Sequence, residues 1–274
     1  MVFIPSNPYA IRGPAVVSFS GGRTSAYMLC KIVEAHGGKL PDDILVVFAN
    51  TGLEHKNTYK FVGEISKRIC PVVWVEYLRD GSSNSYRVVD SNTCSVDGEP
   101  LAAVIGIKKY LPNPVMRFCT QECKIVPISK YAKSIFGNDE WTNVVGLRYD
   151  EPHRVHKLKD SSSNKDVLCP VYLSGHTIND VNAFWKQSDF DLELPMDNPS
   201  FGNCVGCFLK GQSKRMNAFR MEPEYADWWI RMEERMNATF RSDALPYRHI
   251  LDMALNQGTF DFDALDIQEC NCTD

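Results

Sequence analysis

The chain has 274 residues, of which 44% are hydrophobic and 23% are charged, a balance typical of a folded globular protein. Its net charge of -4 at pH 7 argues against a broad electrostatic attraction to nucleic acid. A local basic patch is still compatible with this net charge. No apolar stretch approaches the ~20 residues of a membrane-spanning helix, and residues 1–13 lack the basic start and apolar run of a signal peptide. We therefore expect a cytoplasmic protein without a membrane partner.

Apolar, β-branched runs alternate with helical patterns through the first half of the chain. The predicted strands are Ala15–Phe19, Ile44–Phe48, Val72–Tyr77 and Asn143–Leu147. Helical patterns separate the first three strands and precede the fourth, at Thr24–His36, Asn57–Ile69 and Cys123–Phe136. This order predicts an α/β fold in which a twisted parallel sheet has helices on both faces.

The pattern becomes mostly helical in the second half. Residues 157–166 are polar and predict an exposed loop, and residues 191–203 are rich in proline and asparagine and predict irregular structure. Three helices are predicted, at Thr177–Gln187 with Thr177 as the N-cap, at Glu222–Phe240 and at Asp243–Leu255. We therefore expect an α/β core over residues 1–155 and a mostly helical region over residues 156–274 that ends in a mobile tail.

The turn after the first predicted strand has the composition of an anion-binding loop. It reads Ser18-Phe19-Ser20-Gly21-Gly22-Arg23-Thr24-Ser25 and opens the first helix. Two glycines let an anion approach the main chain, and the N–H groups and dipole of the helix start favour negative charge. The sequence therefore predicts a phosphate or sulfate cradle at the carboxyl edge of the sheet, where open α/β sheets bind ligands.

Two further strand ends carry groups suited to a nucleotide. Asn50-Thr51-Gly52 follows the second predicted strand and offers backbone groups to a base or a ribose. Gly146, Arg148 and Arg154 follow the fourth strand, and the forked guanidinium groups suit bidentate contacts with phosphate or sulfate. The alternative for both arginines is surface ion pairing with the acidic residues that lie between them.

Ten cysteines in a chain expected in a reducing compartment indicate metal binding or redox chemistry rather than disulfides. Cys204 and Cys207 form a C-x-x-C pair, and Cys119 and Cys123 form a second close pair. Four thiolates in two pairs suit a [4Fe–4S] cluster or a tetrahedral zinc ion, the alternative being a coincidental mixture of core and loop thiols. The others are reserve ligands, Cys94 and Cys169, and structural thiols on predicted helices, Cys30 and Cys70.

Two features of the second half have a structural and a functional interpretation. The basic run Lys210, Lys214, Arg215 and Arg220 is either a solvated face or a contact surface for a phosphate or a nucleic-acid backbone. The pair Trp228-Trp229 lies in a helical pattern, and we expect it to pack in a core rather than to stack on a base.

Four of these segments together resemble the signatures of the phosphoadenosine phosphosulfate (PAPS) reductase-like family. This family is a branch of the PP-loop adenine-nucleotide α-hydrolase superfamily, whose fold is HUP-like and of Rossmann type. The segments are the PP-loop at 18–25, the turn at 48–54 followed by Thr58-Tyr59, Arg117-Phe118-Cys119-Thr120 with Lys124, and the strand end at 146–154. The resemblance covers residues 15–155 well and the rest loosely. It departs at Thr24, where ATP pyrophosphatases carry an aspartate that manages magnesium and pyrophosphate, and this departure favours another adenylate-type ligand.

The resemblance implies an enzyme that binds PAPS, APS or ATP, with magnesium if ATP is the ligand, and that transfers or reduces sulfur on it. Arg148 and Lys124 are then catalytic candidates. Cys270, in a tail that resembles the family's Glu-Cys-Gly motif, is the candidate nucleophile, with a thioredoxin-like or other thiol reductant as partner. Sulfur-handling relatives often hold a [4Fe–4S] cluster near the substrate. Two alternatives stay open: adenylation of a nucleic-acid base for thiolation, and a nucleotide-binding regulator without turnover.

Overall fold

The computed structural model describes residues 7–81, 83–137, 140–160, 166–195 and 198–256. Six strands form one sheet in the order β4-β3-β2-β1-β5-β6, and all neighbours are parallel except β3 and β4. The strands are β1 (Ala15–Ser18), β2 (Ile44–Ala49), β3 (Val73–Asp80), β4 (Ser83–Val89), β5 (Thr142–Val145) and β6 (Val167–Leu168). The predicted α/β class is confirmed.

The helices follow the strands along the chain and then dominate the second half. Those of the first half are α1 (Arg23–Ala35), α2 (Lys56–Arg68), α3 (Glu99–Lys108), α4 (Phe118–Thr120) and α5 (Val126–Phe136). A π-helical turn, Gln121–Ile125, joins α4 to α5. Those of the second half are α6 (Pro152–Asp160), α7 (Pro170–Leu173), α8 (Ile178–Lys186), α9 (Gln212–Met221), α10 (Asp227–Met236) and α11 (Tyr247–Asn256). None of the described helices is long and apolar enough to cross a bilayer.

The sheet is buried on both faces, which explains the continuous apolar runs of its central strands. One face packs against α1, α2 and α8 in a large core that includes Val17, Met28, Phe61 and Trp185. The other face packs against α5, where Ala132 meets Val16 and Val47 in a smaller core. The sheet therefore separates two helical layers, with its carboxyl edge facing the turns that precede α1 and α2.

A second core lies among the helices of the C-terminal region and is dominated by aromatic rings. Trp229 stacks on Tyr247 with ring centres 5.2 Å apart and 12° between the planes, and Phe240 packs against both rings. Trp228 and Trp229 are both buried, so the prediction that they pack in a core is confirmed. This core also contains Cys123 and Cys207, so it surrounds part of the predicted thiol set.

Several element predictions were wrong in detail. The antiparallel strand β4 was not predicted because its sequence is mostly polar and lies at the sheet edge. The loop predicted at 157–166 is helical through Asp160, because α6 continues that far. The helix predicted at Glu222–Phe240 starts only at Asp227, after a 3-10 turn that begins at Pro223. The sheet also includes β6, which lies after residue 155, and the division of the chain into two regions stays a prediction.

Two cations of the basic run after the C-x-x-C pair, Lys210 and Arg215, are not part of a solvated face, whereas Lys214 and Arg220 are half-exposed. Lys210 and Arg215 are each only 2% exposed. The ammonium group of Lys210 donates to the carbonyl oxygens of Ser200, Gly202 and Cys204 over 2.6–2.9 Å. Since both cations are enclosed, they do not form a surface for a nucleic-acid backbone.

A buried histidine connects the two halves of the chain. The ring of His55 caps α2, because its Nδ1 accepts the backbone N–H of Asn57 at 3.1 Å. Its Nε2 lies 2.8 Å from a carboxylate oxygen of Glu222, which also pairs with the exposed ammonium group of Lys56. Burial lowers the pKa of His55, and the hydrogen bond to Glu222 opposes that shift. The cap requires the neutral ring, since a protonated Nδ1 cannot accept.

We predict that acid destabilises the protein through His55. Because the pKa of His55 is lower in the folded chain, the unfolded chain binds the extra proton, and stability falls as the pH drops below about 6.5. His55→Gln should cost about 1–3 kcal/mol at pH 8 through its lost buried hydrogen bonds, and less at acidic pH. Urea unfolding between pH 8 and pH 5.5 measures this, with exposed His249→Gln as the control. A pH-independent difference between the wild type and His55→Gln would contradict the assignment.

Candidate active site

The turn between β1 and α1 has the geometry of an anion cradle. The hydroxyl of Ser25 lies 2.8 Å from that of Ser20 and donates to the carbonyl oxygen of Gly22 at 3.0 Å, so the loop is closed on itself. Gly21 has a φ of +78°, and a Cβ at this position would lie 2.7 Å from a methyl group of Thr58. The turn therefore requires glycine at this position, and it leads into the first turn of α1, whose N–H groups have no acceptor within the helix.

A cleft of about 900 Å³ opens beside this turn. Its lining includes most of the predicted anion-binding residues: Ser20, Gly22, Arg23, Thr24, Ser25, Gly146, Arg148 and Arg154. Ser18, Phe19 and Gly21 are not among the lining residues, and Phe19 lies in the main core. The cleft volume lies within the usual range of small-molecule and cofactor sites.

The two predicted arginines line the cleft and also form the ion pairs that were the alternative. Arg148 lies 3.1 Å from Asp150 and 3.3 Å from Glu151, and it donates to the hydroxyl of Thr24 at 3.2 Å. Arg154 pairs with the other oxygen of Glu151. These carboxylates hold both guanidinium groups at the cleft wall, so the ion pairing is confirmed, and the contact with a phosphate or sulfate stays a prediction.

The turn after β2 lies outside the cleft lining and faces inward. The amide of Asn50 donates to Glu76 at 2.7 Å and to the carbonyl oxygen of Ser95 at 2.8 Å. Thr51 is buried and Gly52 is bonded to the side chain of Asn50 at 3.0 Å. A nucleotide contact from Asn50, Thr51 or Gly52 stays a prediction, because the side chains of Asn50 and Thr51 and the N–H of Gly52 serve a buried hydrogen-bond network in this structure.

The same turn holds the C-x-x-C segment. Glu54 and Cys204 form an isolated antiparallel bridge, and the N–H of Val205 donates to the carbonyl oxygen of Leu53 at 2.7 Å. The hydroxyl of Thr51 lies 3.3 Å from the sulfur of Cys204 and donates to Glu54 at 2.7 Å. Asn203, the residue before Cys204, lines the cleft. The C-x-x-C segment thus starts at the cleft and is bonded to the turn after β2.

The four predicted metal ligands belong to one part of the molecule. Cys123 and Cys207 are buried in the aromatic core, and Cys119 and Cys204 pack against it. Burial raises the pKa of Cys123 well above the usual thiol value, and the nearby thiols of Cys119 and Cys204 raise it further. Burial also raises the pKa of Cys119, although Lys124 and Arg117 oppose that shift. The eight cysteines in the described segments are thiols rather than disulfides.

The thiol set has the donor chemistry of either predicted metal group. Four thiolates are the ligands of a structural zinc ion and also of a [4Fe–4S] cluster. Within the described residues, no three His, Cys, Asp or Glu side chains are grouped so that they could hold a metal ion. A metal group on these four thiols therefore stays a prediction.

The remaining predicted residues have different outcomes. Lys124 lies in the π-helical turn beside Cys119, outside the cleft lining, so a direct catalytic contact stays a prediction. Cys94 and Cys169, the reserve ligands, lie with the sheet-side cores rather than with the four thiols. Cys270 lies outside the described residues.

Sequence reasoning missed one whole wall of the cleft. Ile178, Asn182, Trp185 and Lys186 of α8 line it, and their spacing places them on one face of the helix. Asp191 also lines the cleft and holds Arg23 through two bonds of 2.6 and 2.8 Å. The sequence predicts the helix that carries these residues, but it does not show that the fold places α8 beside α1.

Comparison with known proteins agrees with this geometry. Residues 14–191 match the phosphoadenosine phosphosulfate reductase domain, a range that includes the cradle, both arginines and α8. The chain belongs to the PAPS reductase family. It is 35% identical over 206 residues to the uncharacterized nin region protein ORF290 of Escherichia phage lambda, covering 73% of this chain and 67% of the phage protein.

Two uncharacterized proteins of Methanocaldococcus jannaschii are also similar. One is 28% identical over 243 residues, which are 84% of this chain and 43% of the archaeal protein. The other is 22% identical over 232 residues, which are 80% of this chain and 47% of that protein. The chain thus spans less than half the length of either archaeal relative. Membership of the PAPS reductase family supports a nucleotide-binding role for the cleft.

We predict that the PAPS reductase-type cradle depends on Gly146. A Cβ at this position would lie 3.0 Å from the Cα of Ser25, so the backbone of the cradle would have to move. Gly146→Ala should destabilise the protein by about 1–3 kcal/mol. The control is Gly63→Ala in the middle of α2, where a Cβ meets no atom within 4 Å and a gain of about 0.4–1 kcal/mol is expected. Urea unfolding measures both, and a Gly146→Ala protein as stable as the wild type would contradict the role.

Proposed function

We propose that the protein is an enzyme that binds an adenylate-type nucleotide in the cleft and transfers or reduces the sulfur that the nucleotide carries. One observation supports this proposal above the others. The cleft that contains the anion cradle also contains Asn203, and the next residue along the chain is Cys204 of the thiol set. Phosphate-binding groups and thiols therefore lie side by side.

The cleft residues have separate parts in the proposed binding mode. The first N–H groups of α1 and the hydroxyls of Ser20 and Thr24 would donate to a phosphate. Arg148 and Arg154 would contact further oxygens of the phosphate or sulfonate, since a guanidinium group carries five N–H donors in a fork that matches such oxygens. Binding would place the sulfur-bearing end of the nucleotide in the part of the cleft that leads toward Cys204.

In the proposed reaction a thiolate attacks the sulfur of a sulfonucleotide. The new S–S bond forms as the bond from sulfur to the phosphate oxygen breaks, and the nucleotide leaves with that oxygen and its electron pair. A dithiol partner, thioredoxin-like in its chemistry, then supplies two electrons, releases sulfite and becomes a disulfide. The cradle and arginines would stabilise the charge on the leaving phosphate. We assign the attacking thiolate to Cys270.

We further propose that Cys119, Cys123, Cys204 and Cys207 hold a [4Fe–4S] cluster. When bound, such a cluster supplies electrons or a nearby electrostatic field to the sulfur chemistry. Lys124 and Arg117 act on the Cys119 side of the set, and the buried ammonium group of Lys210 lies against the carbonyl oxygen of Cys204. These cations would offset part of the negative charge that four thiolates introduce into an apolar core.

A second candidate is adenylation of a nucleic-acid base for thiolation, which the closeness of the thiols to the cleft also favours. Two observations weigh against it. Thr24 uses its hydroxyl to accept from Arg148, where ATP-cleaving relatives carry a carboxylate. Lys210 and Arg215 are enclosed and cannot contact a nucleic-acid backbone. We therefore favour the sulfonucleotide, with a regulator that lacks turnover as the third alternative.

We predict that the wild type binds PAPS or APS more tightly than AMP, and that Arg148→Ala weakens binding by about tenfold or more. The loss follows from removing charge-assisted hydrogen bonds, each of which contributes about 1.5–3 kcal/mol. Calorimetry measures the affinities, and Arg248→Ala is the matched control, because Arg248 forms a comparable but exposed ion pair with Glu234. No binding of any adenine nucleotide to the wild type would overturn the proposal.

Product analysis separates the three activities. Sulfite released from PAPS or APS with a dithiol supports the favoured reaction. Pyrophosphate released from ATP would move the assignment to base adenylation. Tight binding without any turnover would support the regulator.

We predict that protein purified without oxygen contains about four irons and four sulfides per chain. Cys123→Ser should lose most of this iron and its visible absorption, whereas Cys30→Ser on α1 should keep both. Metal analysis and absorption spectra provide the measurement. Stoichiometric zinc without iron, or no metal at all, would overturn the cluster.

A further inference from the structure

The charges that line the cleft are unevenly compensated. Arg23, Arg148 and Arg154 each pair with a carboxylate: Asp191 at 2.6 Å, Asp150 at 3.1 Å, and Glu151 respectively. Lys186 differs from these arginines. Among the described cations that line the cleft, it alone forms no ion pair with a carboxylate. Its charge is therefore the one most available to a ligand.

Lys186 is also held in a defined position relative to the cradle. It is the last residue of α8, and its neighbour Trp185 is buried and donates its indole N–H to the carbonyl oxygen of Arg23 at 2.9 Å. Arg23 begins α1, the helix whose first turn forms the cradle. The backbone of Lys186 is thus fixed to the phosphate-binding turn, while the side chain is exposed in the cleft.

The neighbours of Lys186 complete a polar wall. Asn182 lies one turn earlier on the same face of α8, and Asn203 lines the cleft before the C-x-x-C pair. Two amides and an ammonium group are donors suited to the oxygens of a phosphate or sulfonate. A cleft of about 900 Å³ has room for a nucleotide that reaches both the cradle and this wall.

We infer that Lys186, with Asn182 and Asn203, forms a second anion subsite that selects nucleotides carrying two separate anionic groups. This inference rests on the proposed function, since it assigns the second group of the same ligand. The cradle holds the first phosphate, and Lys186 binds the second. That second group is either a 3′-phosphate or the distal group of a 5′ chain. Both present anionic oxygens that would accept hydrogen bonds from the ammonium group of Lys186.

Calorimetry with three simple nucleotides tests the subsite. Adenosine 3′,5′-bisphosphate carries a 3′-phosphate, ADP carries a distal 5′-phosphate, and AMP carries neither. Lys186→Gln should weaken one of the first two ligands by about tenfold and leave AMP within about twofold, because only the second group loses its cation. Lys186→Arg should retain the affinity. Lys39→Gln removes the same charge from an exposed loop outside the cleft and should change none of them.

The outcomes distinguish the inference from the proposed function. The ligand that loses affinity identifies the source of the second group, and loss confined to that ligand supports the subsite. Equal losses for all three nucleotides, or no loss for any, would overturn the subsite while the nucleotide site itself stands. Failure of the wild type to bind any of the three would overturn the proposed function and the subsite with it.

Discussion

The short bridge between the turn after β2 and the C-x-x-C segment determines how the rest of the molecule is arranged. It joins Leu53 and Glu54 to Cys204 and Val205 through backbone hydrogen bonding. Glu54 is buried and accepts from the hydroxyl of Thr51 and from that of Tyr59 at 3.2 Å, so the turn itself is rigid. Since the same segment continues back into Asn203 at the cleft, the bridge fixes the position of the C-x-x-C pair relative to the cleft.

The other side of the C-x-x-C segment is held by the helical C-terminal region. Trp229 donates to the carbonyl oxygen of Val205 at 2.8 Å, and Tyr247 donates to that of Gly206. The ammonium group of Lys210 donates hydrogen bonds to three further carbonyl oxygens in the segment that precedes it. An enclosed ammonium group costs a large desolvation energy unless its hydrogen bonds are satisfied, and here three acceptors satisfy it. The aromatic core therefore positions the C-x-x-C turn, rather than only covering apolar surface.

Much of the first half could be predicted from the sequence because there a single physical rule applied. Strands buried on both faces require continuous apolar runs, so β1, β2, β3 and β5 were visible, and the PP-loop turn was visible from its glycines. Prediction failed where tertiary contacts overrode local pattern. Edge strand β4 is mostly polar because it pairs on one side only. The polar turn at Asn50 faces the buried carboxylate of Glu76, and the local sequence does not predict that contact. Lys210 looked solvated because sequence does not show which carbonyl oxygens will surround it.

The cleft combines two kinds of cation, and the difference bears on how it can discriminate between ligands. The arginines are oriented in advance by carboxylates, which lowers the reorganisation needed when a phosphate binds and also weakens the net field that attracts it. A site built only in this way would hold any phosphate near the helix start with moderate affinity. In the proposed function, selectivity would then come from groups that a shorter ligand leaves unused, and such groups stand on the wall that α8 forms beside the cradle. The C-terminal region supplies that wall and also the C-x-x-C pair, so in the proposed function it would connect the choice of nucleotide to the chemistry performed on it.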